Sequence, residues 1–325
     1  MDYKRIKLIL LIVFLSAQVL AQGCSDAGFC TMGAMKPDQA YSKKINFKLR
    51  SIELSQYKGN THTSASIAVT NLDISVGLTN KTGFQIKIPY QSTSGSMGKA
   101  AGLGDISLSV THNLHRFKNF ELNGTLGMKI PSNKSDIVSQ GRKQALSVGL
   151  VLPMYYQISL GSWDVIAGAS LINENWLIAV GYQNALTANN NTFKREDWTP
   201  PAYPSETYSQ NYDEATKLKR GSDVMLRVER NFRFARYNFN IGLLSIYRIS
   251  KDQIIIEDDI TKVEAYEKLE DTTGAALTGL FGFGYNLNIN NSLKFTYGYK
   301  LTDREVNPDG LTRDSVIIFA YLFRF

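Results

Sequence analysis

From residue 44 to the last residue, apolar and polar side chains alternate in runs separated by turn-forming residues. A period of two puts every second side chain on the same face of an extended strand. The clearest run closes the chain: Ser315, Ile317, Phe319, Tyr321, Phe323 and Phe325 share one face, with Asp314, Ala320, Leu322 and Arg324 on the other. Two earlier runs contain a slip. Over 44–57, Ile45, Phe47 and Leu49 give way to Ile52 and Leu54, the signature of a one-residue bulge. Over 63–79, Ile67 and Val69 give way to Leu72, Ile74, Val76 and Leu78, which predicts a second bulge near Asn71. Further strands are predicted from Phe84, Ile88 and Tyr90, from 106–114, from 120–130, and from the apolar face of 146–158. The remaining ones fall at 224–228, 237–243, 277–285 and 293–301.

The stretch 163–186 reads either as two strands turning at Asn173-Glu174-Asn175 or as one long strand. Connections on either side alternate between short and long, and one long strand preserves that alternation with 159–162 as a short turn. The pattern then predicts an all-β fold, a transmembrane antiparallel β-barrel of about twelve strands, with fourteen as the alternative. Long loops are expected at 92–102, 131–143, 187–220, 251–273 and 303–312, with Ile254 to Ile256 prolonging the strand before them. An aromatic face running to the terminal Phe325 suits the closing strand of such a barrel, where rings meet lipid and its interface. It also suits recognition by the outer-membrane assembly machinery of Gram-negative bacteria. The last strand of a soluble sandwich is the competing reading, and the recurrence of the same pattern along the whole chain weighs against it.

The N-terminus agrees. Residues 1–21 carry a basic start (Lys4, Arg5, Lys7), an apolar run and Val19-Leu20-Ala21, so cleavage of an export signal is expected after Ala21. No later stretch is apolar enough for a transmembrane helix. The domain reading is therefore a signal at 1–21, an N-terminal segment at 22–43, and the barrel over 44–325. The 17 Tyr and 16 Phe against 3 Trp suit a β-rich chain. Net charge is +7, or +5 once Asp2, Lys4, Arg5 and Lys7 leave with the signal, and the basic residues are scattered, so no nucleic-acid partner is expected.

Cys24 and Cys30 are the chain's two cysteines. In an exported protein such a pair reads first as a disulfide, with acylation of Cys24 as the alternative. Catalytic chemistry has little to draw on. His62, His112 and His115 are the only histidines, and His112 is followed by Asn113-Leu114 rather than the His-x-Ser-Asn-Gly stretch of barrel phospholipases. No enzyme, metal site or cofactor is expected, and the acidic 251–273 loop reads as a solvated face rather than a calcium loop. The polar faces of the strands supply candidate lumen residues instead: Lys87, Asp105, Glu121, Lys129, Arg227, Glu229, Lys294 and Lys300. Their mixed signs do not form the single-sign ring of a simple ion filter.

Two stretches, Gly102-Leu-Gly-Asp105 and Gly127-Met-Lys-Ile-Pro-Ser132, resemble the Gly-Leu-Gly-Asp and Gly-x-Lys-Leu-Pro-Thr-Gly signatures of MetA-pathway phenol-degradation barrels, distant relatives of the long-chain fatty-acid transporters. Asn133 stands where that signature has its final glycine. The resemblance implies a transporter for small, often hydrophobic or aromatic compounds. In the fatty-acid transporter family an N-terminal segment plugs the barrel, which implies a disulfide-closed plug from residues 23–35; a flexible tail is the other reading. The expectation is thus a passive outer-membrane channel in contact with lipid, a small solute and the assembly machinery. A non-transporting barrel that uses its long loops for surface binding or assembly is the rival.

Overall fold

The computed structural model describes residues 32, 35–36, 48–61, 63, 65–139, 149–198, 210–257, 264–311 and 313–325. The export signal, Cys24, Cys30 and His62 lie outside them. The strands are β1 (Lys48–Asn60), β2 (Ser66–Gly77), β3 (Thr82–Ser94), β4 (Lys99–Leu103), β5 (Ile106–Arg116), β6 (Glu121–Ile130), β7 (Asp164–Ile172) and β8 (Trp176–Ala185). They continue with β9 (Asp223–Arg233), β10 (Tyr237–Arg248), β11 (Gln253–Glu257), β12 (Glu264–Lys268), β13 (Gly274–Asn286), β14 (Asn291–Thr302) and β15 (Ser315–Arg324). Every pairing is antiparallel, and β1 pairs with β15 from Ser51↔Arg324 to Asn60↔Ser315. That contact closes a barrel of twelve strands. The extra strand β4 pairs with the upper half of β3, whose lower half pairs with β5.

Alternation allocates the two faces of the wall. Ile317, Phe319, Tyr321 and Phe325 point outward and are exposed, while Val316, Ala320 and Leu322 point inward and are buried. Outward aromatics form two belts. Phe117, Trp176, Phe232, Phe234, Tyr237 and Phe325 lie at the end with short turns, and Tyr90, Trp163, Tyr182 and Tyr247 near the end with long loops. Two such girdles flanking an apolar band are what a barrel wall presents to a bilayer. Cross-strand rings add to it, with Phe295 and Phe319 centred 5.1 Å apart and Phe239 and Phe283 5.2 Å apart.

Several local expectations are corrected. The bulge in the first strand is present, as a register shift between Leu49 and Ser51. The one near Asn71 is absent: β2 pairs without interruption on both sides. Ile67 and Val69 instead turn inward to pack on Tyr57 and Val316, so apolar residues occupy both faces of β2. The predicted strand at 146–158 does not exist over its described part, 149–158, which holds a short 3-10 turn at Met154–Tyr156. Its apolar side chains are buried against other loops rather than against lipid. Conversely, 163–186 is two strands, β7 and β8, turning at Asn173, whose Oδ1 accepts from the N–H groups of Asn175 (2.8 Å) and Trp176 (2.6 Å). The two errors cancel in the strand count and move 159–162 to the long-loop end. Ile254 to Ile256 do not prolong β10; they pair with β12 as a separate hairpin.

Face allocation sets the energetics of substitution. Leu126 sits mid-strand on β6, points outward and is 69% exposed. Its replacement by Arg should cost roughly 2–4 kcal/mol in a lipid bilayer, the range for a cation on the lipid face at the midplane. The adjacent Thr125 points inward and shares a 2.9 Å hydrogen bond with Thr111, so Thr125→Ala should cost about 1 kcal/mol. Urea unfolding in lipid vesicles, followed by heat-modifiable gel migration, measures both; equal costs would contradict the assigned faces.

Candidate functional site

The lumen is asymmetric. The β7–β13 side carries an apolar patch: Ile166, Leu177, Ala179, Met225, Leu244 and Leu280 form one buried cluster with Met32 and Met35. These two methionines come from the N-terminal segment, folded in a turn in which the Met35 N–H donates to the Met32 carbonyl (3.0 Å). Inward-facing glycines make room for them. A Cβ on Gly127 would lie 2.8 Å from Met32 Cε, and one on Gly168 would lie 2.6 Å from Met35 Sδ. A methionine chain adapts to such irregular gaps.

On the opposite side the lumen is charged, and strand register explains why. Glu53 pairs with Asp73, Asp73 with Lys87, Lys87 with Ser107, Ser107 with Lys129, and Lys129 with Asp164. Six neighbouring strands thus place one polar row on the inner face. Lys36, next to the buried methionines, completes it, reaching Glu53 at 2.9 Å and Asp73 at 3.2 Å. Burial on its own would lower the pKa of the Lys36 ammonium, but the two carboxylates outweigh it and raise that pKa, so the group stays charged. Lys294 approaches Glu53 at 3.4 Å from β14. Asp105 accepts from Ser159 Oγ and the Leu160 N–H (2.9 Å) and meets Lys129 at 3.6 Å.

Between this row and the long loops lies a cavity of about 140 Å³. Of the residues proposed from sequence, Lys87, Asp105, Lys129 and Lys294 line it together. The other four are elsewhere. Arg227 and Glu229 pair with each other, buried, on β9. Glu121 pairs with Arg116 beside the short turn after β5, and Lys300 bridges Asp303 (2.8 Å) and Asp314 (3.0 Å) at the long-loop end. Sequence reasoning passed over Glu53 and Asp73, although each stands opposite an outward apolar set and was findable by parity. Nothing in the sequence pointed to Lys36.

The long loops roof the cavity. Tyr155, Tyr156, Phe193, Trp198 and Tyr212 form an aromatic cluster with Ala65, Met97 and Leu152. Beneath it the Arg248 guanidinium binds Asp223 (2.8 Å), Asp252 (2.6 Å) and Asp309 (2.7 Å), all buried. Burial would raise the pKa of Asp309, but Arg248, Arg304 and Arg220 prevail and hold it far below the usual carboxylate range. Arg220 in turn clamps Asp164, the end of the lumen row. Ion pairs of the long-loop end thus reach the polar row at Asp164, through Arg220.

Histidine chemistry is not assembled. His112 shares a 2.9 Å hydrogen bond with Thr82 and His115 packs its ring on Phe117, both near the short-turn end. Among the described residues, no group of three or more His, Cys, Asp and Glu is placed to hold a metal ion.

No protein-family model matches the sequence, and no curated protein matches it. Solved structures do resemble the fold. The COG4313 outer membrane channel from Pseudomonas putida F1 superposes with a TM-score of 0.57 at 12% identity, over 89% of this chain and 99% of that one. The NanC porin (TM-score 0.45, 9% identity) aligns over 85% of this chain and 98% of its own, and the KdgM porin (0.42, 10%) over 85% and 99%. At these identities the likeness is one of fold.

Two outcomes follow from the packing. In Gly168→Leu the side chain takes the space of Met35, so acetylation of Lys36 by a water-soluble ester, read by mass spectrometry, should quicken several-fold over wild type; an unchanged rate would place Met35 outside the lumen. Arg248→Met leaves three buried carboxylates without their shared cation and should cost about 3–5 kcal/mol. Hydrogen exchange should report that loss in 210–222, 249–252 and 303–311 before any barrel strand.

Proposed function

We propose that the protein is a channel of the outer membrane of a Gram-negative bacterium, through which a small solute diffuses passively once the N-terminal segment moves. The observation that carries this reading is the charged cavity inside the wall. A barrel whose interior served packing alone would bury apolar side chains there, since each buried ion costs several kcal/mol unless paired. Fold likeness to an outer membrane channel adds support. In bacterial barrels short turns face the periplasm and long loops the exterior; Met32 and Met35 would then plug the periplasmic approach, and the aromatic roof would lie outside. The aromatic face of β15, ending at Phe325, suits presentation to the outer-membrane assembly machinery.

The signatures at 102–105 and 127–132 would make the solute hydrophobic or aromatic, and the methionine-lined half of the lumen favours that. A non-transporting barrel is favoured by a different observation, that methionines obstruct the lumen and loops cover it. Planar-bilayer recording separates the two. Wild type should open rarely, and a variant lacking residues 22–40 should conduct several-fold more. A deletion variant that is folded, by heat-modifiable migration, yet conducts nothing would favour the surface-binding or assembly role.

A further inference from the structure

We propose that the lumen cavity is a binding site for a small hydroxylated carboxylate, whose anionic group sits between Lys87 and Lys129. This rests on the channel reading and replaces the hydrophobic or aromatic solute with a polar anion. Charges in the polar row are sorted rather than alternating. Acids stand on β1 and β2 and, held by Arg220, on β7, and between them the two lysines flank Ser107 across β3, β5 and β6. The acid half is compensated locally, because Lys36 binds both Glu53 and Asp73, and Lys294 reaches Glu53. Asp73 therefore meets Lys87 only at 4.0 Å. On the other flank, Asp105 is engaged by Ser159 and the Leu160 N–H and meets Lys129 at 3.6 Å.

Two ammonium groups with a hydroxyl between them, all lining one cavity, make a receptor for an anion. The facing wall sets the rest of the solute. Asn238 and Asn240 on β10, with Thr296 on β14, offer amide and hydroxyl groups. These match a body that both donates and accepts hydrogen bonds better than a ring without polar groups. Size follows from volume: the cavity measures about 140 Å³, and one of about 150 Å³ holds a molecule the size of benzene.

Glycerate, glycerol and 3-amino-1,2-propanediol share one skeleton and differ in charge. Uptake of each labelled compound into liposomes bearing the full chain, after subtraction of protein-free liposomes, tests the site directly. Glycerate should enter about tenfold faster than glycerol, and the amine slowest, a difference of one decade in effective affinity. Lys87→Gln and Lys129→Gln should each bring glycerate down toward the glycerol rate while leaving heat-modifiable migration intact. Equal entry of the three compounds, or glycerate entry unchanged in both variants, would overturn the anion site and leave the channel standing. If neither wild type nor the variant lacking residues 22–40 admits any solute or passes current, the channel reading falls, and the site with it.

Discussion

No water reaches the middle of a bilayer, so each N–H and C=O of a spanning strand must bond to a neighbouring strand, and the first strand must meet the last. Here that requirement is met by the run of pairs between β1 and β15. Once the ring is closed, every strand is flanked on both sides, and the two faces of the wall are committed: one to lipid, one to the lumen. The outward aromatics and the inward charges are two consequences of the same closure. So is the polar row, because a side chain acquires cross-strand neighbours only when register is set all the way round.

The lumen shows how a barrel fills its interior without becoming a solid core. One side carries an apolar patch, built from β7–β13 side chains and two methionines of the N-terminal segment. The other side keeps charges that pair across strands and with Lys36. Glycine is the device that joins the two sides: at Gly127 and Gly168 the missing side chains are the spaces that Met32 and Met35 occupy. At these two glycines Met32 and Met35 fit the wall closely. Above them, Arg248 ties β10 to β9 and to two loops, and Arg220 ties the loop before β9 to the polar row.

Legibility in sequence followed exposure to a uniform environment. Where one face meets lipid and the other a polar lumen, as in β14, alternation is strict, and the residues at 291–301 were legible from sequence. Where the inward face also packs on apolar side chains, it breaks down. In β2 the inward Ile67 and Val69 mimic a slip, because their partners Tyr57 and Val316 are lumen residues. In 149–158 the apolar residues obey a strand-like period yet serve the roof. Leu152, Met154 and Tyr156 find apolar neighbours among loops remote in sequence, so their period says nothing about lipid.

By itself, then, the sequence determined the class of fold, the closing strand and the alternation of faces, since each of these depends on a period of two along a single strand. Tertiary structure alone decided which strands form the twelve, that Glu53, Asp73, Lys87, Ser107 and Lys129 share one row, and that Lys36 and two methionines enter the lumen. Those facts depend on register and on contacts between residues far apart in the chain, and no local pattern encodes which distant partner will fill a gap left by a glycine.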